Sequence, residues 1–167
     1  MRLELDRDFI RMTGLVLDAE DLRLGVSLGL ISPPTAIRLA ADAVSSGSTD
    51  PALLVVAQQD PNDVWSLRDA LRATDPEEAD LFPPQSVRKW TYLQLEAAYA
   101  MRDRLRDPLG VVEEIYADFD YPAPVAAFVR YMPAPPGAPV GEEALYDRWS
   151  RYLADEAAEL TQQKNRP

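Results

Sequence analysis

The chain has 167 residues, of which 47% are hydrophobic, and carries a formal net charge of −11 with an isoelectric point of about 4.4. A chain of this length can bury a sizeable core as one domain, and its acidity disfavours nucleic acid and anionic membranes as partners. It contains no histidine and no cysteine. These two absences exclude Ser-His-Asp and Cys-His catalytic sites, and zinc sites built on imidazole or thiolate.

The sequence shows no signal for a membrane or for secretion. No apolar run approaches the roughly 20 residues that span a bilayer, and the first ten residues are charged throughout, without the apolar segment of a signal peptide. Without cysteine there is no disulfide framework. We therefore expect a cytoplasmic protein.

The first 17 residues favour no single structure. Leu3 and Leu5 alternate with charged residues, as in a short edge strand, whereas the apolar residues between positions 9 and 16 suit a short helix. The structure of residues 1–17 is therefore left open.

Beyond this region, aspartate or serine followed by proline repeatedly marks the start of a helix. The side chain can accept a hydrogen bond from the unpaired N–H groups of the first turn, and proline presets the backbone angle φ there. Gly29 fits the position just after a helix end. Apolar periodicity between these signals predicts helices at about residues 18–28, 33–44, 51–58, 62–73, 86–105, 108–119 and 142–163.

With about eight helices and no credible strand pair, the sequence predicts a single all-α domain over residues 1–167. The helix at 86–105 is apolar on two faces and should be central. Residues 75–84 form an acidic connector, and residues 133–141 a proline-rich linker to a docked C-terminal helix, beyond which residues 164–167 should fray. The predicted core includes four aromatic side chains, those of Trp90, Tyr92, Phe119 and Phe128.

Residues 107–133 are the segment that we single out for function. Tyr121-Pro122 breaks its helix, and a second apolar stripe follows from residue 125 to residue 132. The segment holds five of the fourteen aromatic residues and five carboxylates, but one arginine. We predict that Arg130 pairs with Asp118 or Asp120. The candidate partner-binding residues are Glu113, Glu114, Asp118, Asp120, Tyr121, Arg130 and Tyr131.

Two of these carboxylates admit another interpretation. Asp118-x-Asp120 could bind Mg²⁺ or Mn²⁺, or the two residues could simply end helices around the break at Tyr121. Glu113 and Glu114 should lie on the solvated face of the preceding helix. A DxD triplet alone is too short to specify a metal site, and no phosphate-binding loop motif occurs. We therefore expect no metal, no cofactor and no catalytic residue.

Three stretches carry a family resemblance: LGLISPPTAIRLA at residues 28–40, KWTYLQL at 89–95, and DPL…YADFDYP…YMP at 107–133. Together they resemble an uncharacterised bacterial family, a domain of unknown function, over roughly residues 5–135. Families of this kind occur near polymorphic toxin genes. The resemblance therefore implies an immunity protein that binds and neutralises a toxin domain, and it brings no catalytic residues with it.

These observations lead to one functional hypothesis and two alternatives. The hypothesis is a non-enzymatic, acidic protein-binding module that acts as an immunity protein against a basic toxin domain. The first alternative is a carboxylate-dependent, metal-assisted enzyme centred on Asp118 and Asp120. The second is a regulatory adaptor with an unknown partner. The sequence does not define the oligomeric state.

Overall fold

A computed structural model of the protein describes residues 2–73 and 82–162. These residues form helices and turns and no strand, so the all-α prediction is confirmed. The helices are α1 Arg7–Met12, α2 Ala19–Ser27, α3 Pro33–Ser45, α4 Pro51–Ala57, α5 Val64–Ala73, α6 Pro84–Ala100, α7 Pro108–Asp118 and α8 Glu142–Gln162, with 3₁₀ turns at Arg102–Arg104 and Ala126–Phe128. Most of the predicted connector at 75–84, and the predicted frayed end at 164–167, lie outside the described residues.

The chain divides into two compact units. The N-terminal unit is Glu4–Trp90, and the C-terminal unit is Thr91–Pro167 together with Met1–Leu3. The boundary falls within α6, between Trp90 and Thr91. In the part of the chain that the structure describes, no helix has both the length and the apolar character needed to cross a bilayer. The single domain expected over residues 1–167 stays a prediction.

In the N-terminal unit, the helices start where the sequence predicts. Asp18 and Asp21 form a reciprocal capping box on α2, in which each side chain accepts the other residue's N–H at 2.9 Å. Ser32 and Asp50 cap α3 and α4, each with a proline at the first helical position. Gly29 follows the end of α2 at φ +70°, a left-handed conformation that glycine adopts without steric cost.

Trp90 is the largest side chain in the core of this unit. It is 0% exposed, and its indole N–H donates to the carbonyl oxygen of Asp21 at 2.8 Å. A Cβ atom on Gly25 of α2 would overlap the Trp90 ring. The close approach of α2 to this end of α6 therefore depends on the missing side chain at position 25.

The core of the C-terminal unit is an aromatic cluster around Trp149 of α8. The Trp149 ring contacts Tyr99 edge-on at 5.0 Å and lies nearly parallel to Phe128 at 6.2 Å. Tyr152 also packs on Phe128, at 5.3 Å. These contacts hold α8 against the 3₁₀ turn Ala126–Phe128 and the C-terminal end of α6. All four of the predicted core aromatics are buried: Trp90, Tyr92, Phe119 and Phe128.

The predicted central helix is shorter than expected at its C-terminal end. It ends at Ala100 instead of residue 105, and a 3₁₀ turn follows. The Arg102 guanidinium donates to the carbonyl oxygen of Tyr99 at 2.8 Å and lies 4.2 Å from the centre of the Tyr99 ring. A cationic side chain that satisfies a terminal carbonyl stabilises a helix end, which explains why α6 stops here.

The second apolar stripe, at residues 125–132, does not form an α-helix. Only the 3₁₀ turn Ala126–Phe128 is present. Pro122, Pro124 and Pro133 flank the stripe and leave too few residues to offset the cost of starting a helix. Val125, Phe128 and Val129 are nevertheless buried, as expected for three members of an apolar stripe.

The N-terminal segment resolves the ambiguity of its sequence pattern. Residues Arg7–Met12 form the short helix α1. Upstream, Leu3 exchanges two hydrogen bonds with the buried side-chain amide of Gln94: its N–H donates to Oε1 at 2.8 Å, and Nε2 donates to its carbonyl oxygen at 2.7 Å. The Gln94 amide thus gives Leu3 the two bonds that a neighbouring strand would supply.

Candidate protein-binding site

The site is built on α7, and its first element is the N-terminal cap of that helix. Asp107 precedes Pro108, as predicted, and its Oδ1 accepts the backbone N–H of Gly110 at 3.0 Å. A Cβ atom at Gly110 would overlap the Asp107 carboxylate and would lie 3.3 Å from Nη2 of Arg130. The glycine therefore leaves room for a carboxylate and a guanidinium at the start of α7.

Arg130 joins Asp107 to Glu113, and we call these three residues the arginine clamp. The guanidinium donates to both carboxylate oxygens of Asp107 at 3.0 Å, and to the two oxygens of Glu113 at 2.7 and 3.0 Å. The prediction that Arg130 pairs with Asp118 or Asp120 is wrong, because both lie at the opposite end of α7. The placement of Glu113 on a solvated face is also wrong, since its side chain is 24% exposed and paired.

The ion pairs of the clamp shift the pKa values of Asp107 and Arg130. The Gly110 N–H and the Arg130 guanidinium lower the pKa of Asp107 below its ordinary value. Hydrogen bonds from Arg130 to Glu113, and then to Asp107, raise the pKa of the guanidinium further above its ordinary value. One cation thus sits between two carboxylates, and Arg130 is already occupied by partners within its own unit.

The C-terminal end of α7 has an unusual backbone. The N–H of Tyr121 donates to the carbonyl of Tyr116 at 2.8 Å, and that of Asp120 to the carbonyl of Ala117 at 3.3 Å, which is the Schellman pattern of a helix end. Asp120 and Tyr121 both adopt left-handed angles, with φ of 59° and 58°. Glycine usually occupies such a position, and other residues incur a cost on the order of 1 kcal/mol. Two strained residues therefore follow one another on the surface.

Three tyrosines meet at this helix end, and we call Tyr116, Tyr121 and Tyr131 the tyrosine cluster. Tyr116 is buried; Tyr121 contacts it edge-on at 5.2 Å, and Tyr131 lies tilted against it at 6.4 Å. The two outer side chains are 58% and 60% exposed. Partial desolvation, and then the neighbouring tyrosines and Glu113, raise the pKa of Tyr131. Since Tyr131 follows Arg130 in the chain, the clamp fixes the backbone that carries it.

The remaining predicted carboxylates differ in their surroundings. Asp118 is the last residue of α7 and lies 3.6 Å from the guanidinium of Arg2. Glu114 is exposed on α7. The Asp120 side chain is exposed and forms no hydrogen bond or ion pair with any residue that the structure describes. Asp118 and Asp120 thus occupy the end of α7, which agrees with the helix-ending interpretation of this pair.

The described residues contain no group of three or more acidic side chains placed to hold a metal ion. Asp118 has a guanidinium as its neighbour. A divalent cation needs several oxygen ligands at once, and a guanidinium beside one of them opposes its binding. The carboxylate pair at 118 and 120 therefore does not, by itself, form a candidate metal site.

A pocket of about 340 Å³ lies beside the clamp. Apolar side chains form most of its lining, with Arg130, Arg148 and Glu142 as charged members; the remaining lining residues are Leu109, Met132, Ala134, Val140, Gly141 and Leu145. Arg148 of α8 donates through Nε to the carbonyl of Ala127, and through Nη1 to that of Pro139 at 2.7 Å. Arg148 thereby holds the proline-rich linker in place along the edge of the pocket.

One charged cluster, in the N-terminal unit, was not predicted from the sequence. Lys89 of α6 forms an ion pair with Asp21, which is 0% exposed, and lies 3.4 Å from Asp18. Burial raises the pKa of the Asp21 carboxyl, and the Lys89 ammonium opposes that rise. The sequence signal for this cluster is the capping box, because it places the Asp21 side chain at the start of α2. The pair joins α2 to α6 and lies against the Trp90 core.

The fold and the site define an all-α protein with an acidic surface that presents tyrosines. The family model described as "Uncharacterized protein conserved in bacteria (DUF2247)" matches residues 8–157, and the chain belongs to this family. The match extends past the resemblance at 5–135, through the linker and most of α8. Neither the curated proteins nor the solved structures contain a match to the chain.

Proposed function

We propose that the protein is a non-enzymatic protein-binding module that acts as an immunity protein, neutralising a basic toxin domain in the bacterial cytoplasm. The observation that carries the proposal is the exposure of Tyr121 and Tyr131, at 58% and 60%, around the buried Tyr116. Tyrosine offers a large, rigid contact area and a polar tip, and aromatic residues are enriched at protein interfaces. A partner would therefore gain the most binding free energy by contacting the tyrosine cluster.

The charge of the chain segment that carries the cluster favours a basic partner. Residues 107–147 carry eight acidic residues and one basic residue, Arg130, and that arginine is already paired in the clamp. A net negative charge raises the rate at which a basic protein docks, while exposed tyrosines would slow its dissociation. The same charges repel nucleic acid and anionic membranes.

The arrangement gives less support to the metal-assisted enzyme. Its two central carboxylates, Asp118 and Asp120, end a helix, and Asp118 has Arg2 as a neighbour. With no histidine and no cysteine in the chain, neither imidazole nor thiolate chemistry is available for catalysis. A binding role requires none of that chemistry and uses the exposed tyrosines directly.

Co-expression tests the proposal. The proposal predicts a toxin domain encoded beside this gene. Once that neighbouring gene is identified, its toxin domain is expressed in a bacterial host with the full chain, and growth and the dissociation constant of the purified pair are measured. We expect the wild-type chain to restore growth and to bind. The Tyr121→Ala/Tyr131→Ala double variant should bind at least about tenfold more weakly, as expected for two interface aromatics.

The matched control is Trp65→Ala, which removes an exposed aromatic side chain from the N-terminal unit and should leave binding unchanged. The melting temperature of each variant is recorded, so that a loss of binding is not confused with a loss of fold. If a correctly folded double variant binds and protects as well as the wild type, the cluster is not the interface. If the wild type neither binds nor protects, the immunity role is wrong.

A further inference from the structure

We infer that Asp120, Tyr121 and Tyr131 form a receptor for a single arginine side chain of the partner, in which the guanidinium lies on the tyrosine rings and pairs with the Asp120 carboxylate. The inference rests on the proposed function in one respect, that the partner is a protein. It goes further by naming the chemical group that the surface recognises.

Asp120 is the carboxylate at this end of α7 that has no ion pair among the described residues. Asp107 and Glu113 are held by Arg130, and Asp118 lies beside Arg2. Asp120 has no side-chain partner among residues 2–73 and 82–162, and it is the immediate neighbour of Tyr121. A partner cation that pairs with Asp120 would therefore displace no ion pair among the described residues.

The rings of Tyr121 and Tyr131 are held in a fixed geometry. The hydrogen bond from Tyr121 to the Tyr116 carbonyl, and the edge-on contact of their rings, hold the exposed side chain in place. Tyr131 rests against the same buried ring. Because both outer side chains pack on Tyr116, little conformational entropy remains to be lost when a ligand binds.

The stacking part of this interaction already occurs elsewhere in the chain. The guanidinium of Arg102 lies 4.2 Å from the centre of the Tyr99 ring while it donates to a carbonyl oxygen. A guanidinium is planar and more weakly hydrated than an ammonium, so it stacks on an aromatic face and forms a forked pair with a carboxylate at the same time. Arginine therefore suits the site better than lysine.

An apolar occupant fits the surface less well. It would bury the Asp120 carboxylate without a compensating charge, and an unpaired buried charge is costly. An anionic occupant would meet the same carboxylate and be repelled by it. An arginine side chain supplies the opposite charge and an apolar stem together, which matches both features of the surface.

The test uses the purified full chain and a small probe, so it needs no partner protein. N-acetyl-L-arginine amide is titrated into the protein while the tyrosine ring resonances are followed by NMR. N-acetyl-L-citrulline amide, which has nearly the same shape and no charge, is titrated in parallel. We expect saturable shifts of the Tyr121 and Tyr131 rings with the arginine probe and a much weaker response with citrulline.

Two variants of equal charge sharpen the test. Asp120→Asn removes the proposed pairing and tolerates the left-handed backbone, so it should weaken binding of the arginine probe about threefold, as expected for one exposed ion pair. Asp155→Asn removes an exposed carboxylate from α8 and should leave the affinity unchanged.

If citrulline binds as well as arginine, or if both variants bind the probe like the wild type, the arginine receptor is wrong even when the toxin domain still binds. If the probe binds as described but no toxin domain does, the receptor stands and the proposed immunity role falls. The two proposals can therefore fail separately.

Discussion

The backbone N–H of Tyr121 donates to the carbonyl oxygen of Tyr116 at 2.8 Å, and the rings of the same two residues meet edge-on at 5.2 Å. One residue pair thus makes both the hydrogen bond and the ring contact that close the C-terminal end of α7. A contact between the residue beyond the cap and the last turn often accompanies this kind of helix end. It stabilises a backbone in which Asp120 and Tyr121 are both left-handed.

Asp120→Gly should stabilise the protein. Glycine adopts a φ of 59° without steric cost, whereas aspartate there is strained, so we expect the free energy of unfolding to rise by about 1 kcal/mol. Urea denaturation measures the change. The control is Asp155→Gly, the same substitution inside α8, which should instead destabilise by roughly 0.5 kcal/mol. Destabilisation by both variants would show that the backbone at position 120 is not strained.

Trp90→Ala and Phe128→Ala should each destabilise the unit to which the residue belongs. Both side chains are essentially fully buried, and truncating such an aromatic costs about 3–5 kcal/mol. Trp65→Ala is the matched control, because its side chain is 74% exposed and should cost less than about 1 kcal/mol. The changes are measured by chemical denaturation. A cost below about 1 kcal/mol at Trp90 or Phe128 would mean that the core is wrongly assigned.

Gly25→Ala should destabilise the N-terminal unit, although in an exposed helix alanine is more stabilising than glycine by about 1 kcal/mol. The added methyl group would overlap the Trp90 ring. Overpacking of this kind should lower the free energy of unfolding by roughly 1–3 kcal/mol. In a Trp90→Phe background the smaller ring leaves room, so the cost of Gly25→Ala should shrink. Thermal melts of the four chains give the comparison. An equal cost in both backgrounds would rule out the proposed overlap.

Arg130→Gln should change the acid titration of Asp107. The folded pKa of Asp107 is lowered, so its carboxylate contributes stability above the unfolded pKa of about 3.9 and loses it as the pH falls through the lower folded pKa. Without the guanidinium, the folded pKa should rise towards the ordinary value. Carbon-13 NMR of the aspartate carboxyl groups measures it.

The control for that titration is Asp42, whose pKa is lowered by Arg7 in a separate ion pair. The titration of Asp42 should be the same in the wild type and in Arg130→Gln. If Asp107 also titrates unchanged in the variant, the clamp does not exist in solution.

Glu114→Lys should slow association with a basic partner. Reversing one exposed charge reduces electrostatic steering, so the association rate should fall and depend less steeply on salt, while the dissociation rate changes little. Stopped-flow mixing at several ionic strengths measures both. Glu113→Lys is unsuitable for this purpose, because Glu113 is part of the clamp and its reversal would also disturb Arg130. A salt dependence identical to that of the wild type would place Glu114 outside the docking path.

The features that the sequence predicted correctly are those set by near neighbours in the chain. The capping contacts of Asp18, Ser32, Asp50 and Asp107 each span two or three residues, so they can be read from the sequence. The buried aromatics also followed from helical spacing. Gly29 was recognised because a glycine just beyond a helix end usually has one structural meaning.

The features that were not predicted depend on contacts between residues that are far apart in the sequence. Arg130 lies 23 residues from Asp107 and 17 from Glu113, and no local pattern distinguishes these partners from the nearer Asp118 and Asp120. The left-handed backbone at Asp120 and Tyr121 could not be predicted, because neither residue is a glycine. Tyr121 and Tyr131 were predicted as partner-binding residues, but their packing on the buried Tyr116 required the structure.

The hydrogen bonds of Arg148 act as a crosslink in a chain that contains no cysteine. By donating to the carbonyls of Ala127 and Pro139, it ties together two points twelve residues apart and closes a loop around the linker. Loop closure of this kind restricts the chain as a covalent crosslink does, though more weakly and reversibly. Since the bridge is made of hydrogen bonds, it is indifferent to the redox conditions around the protein.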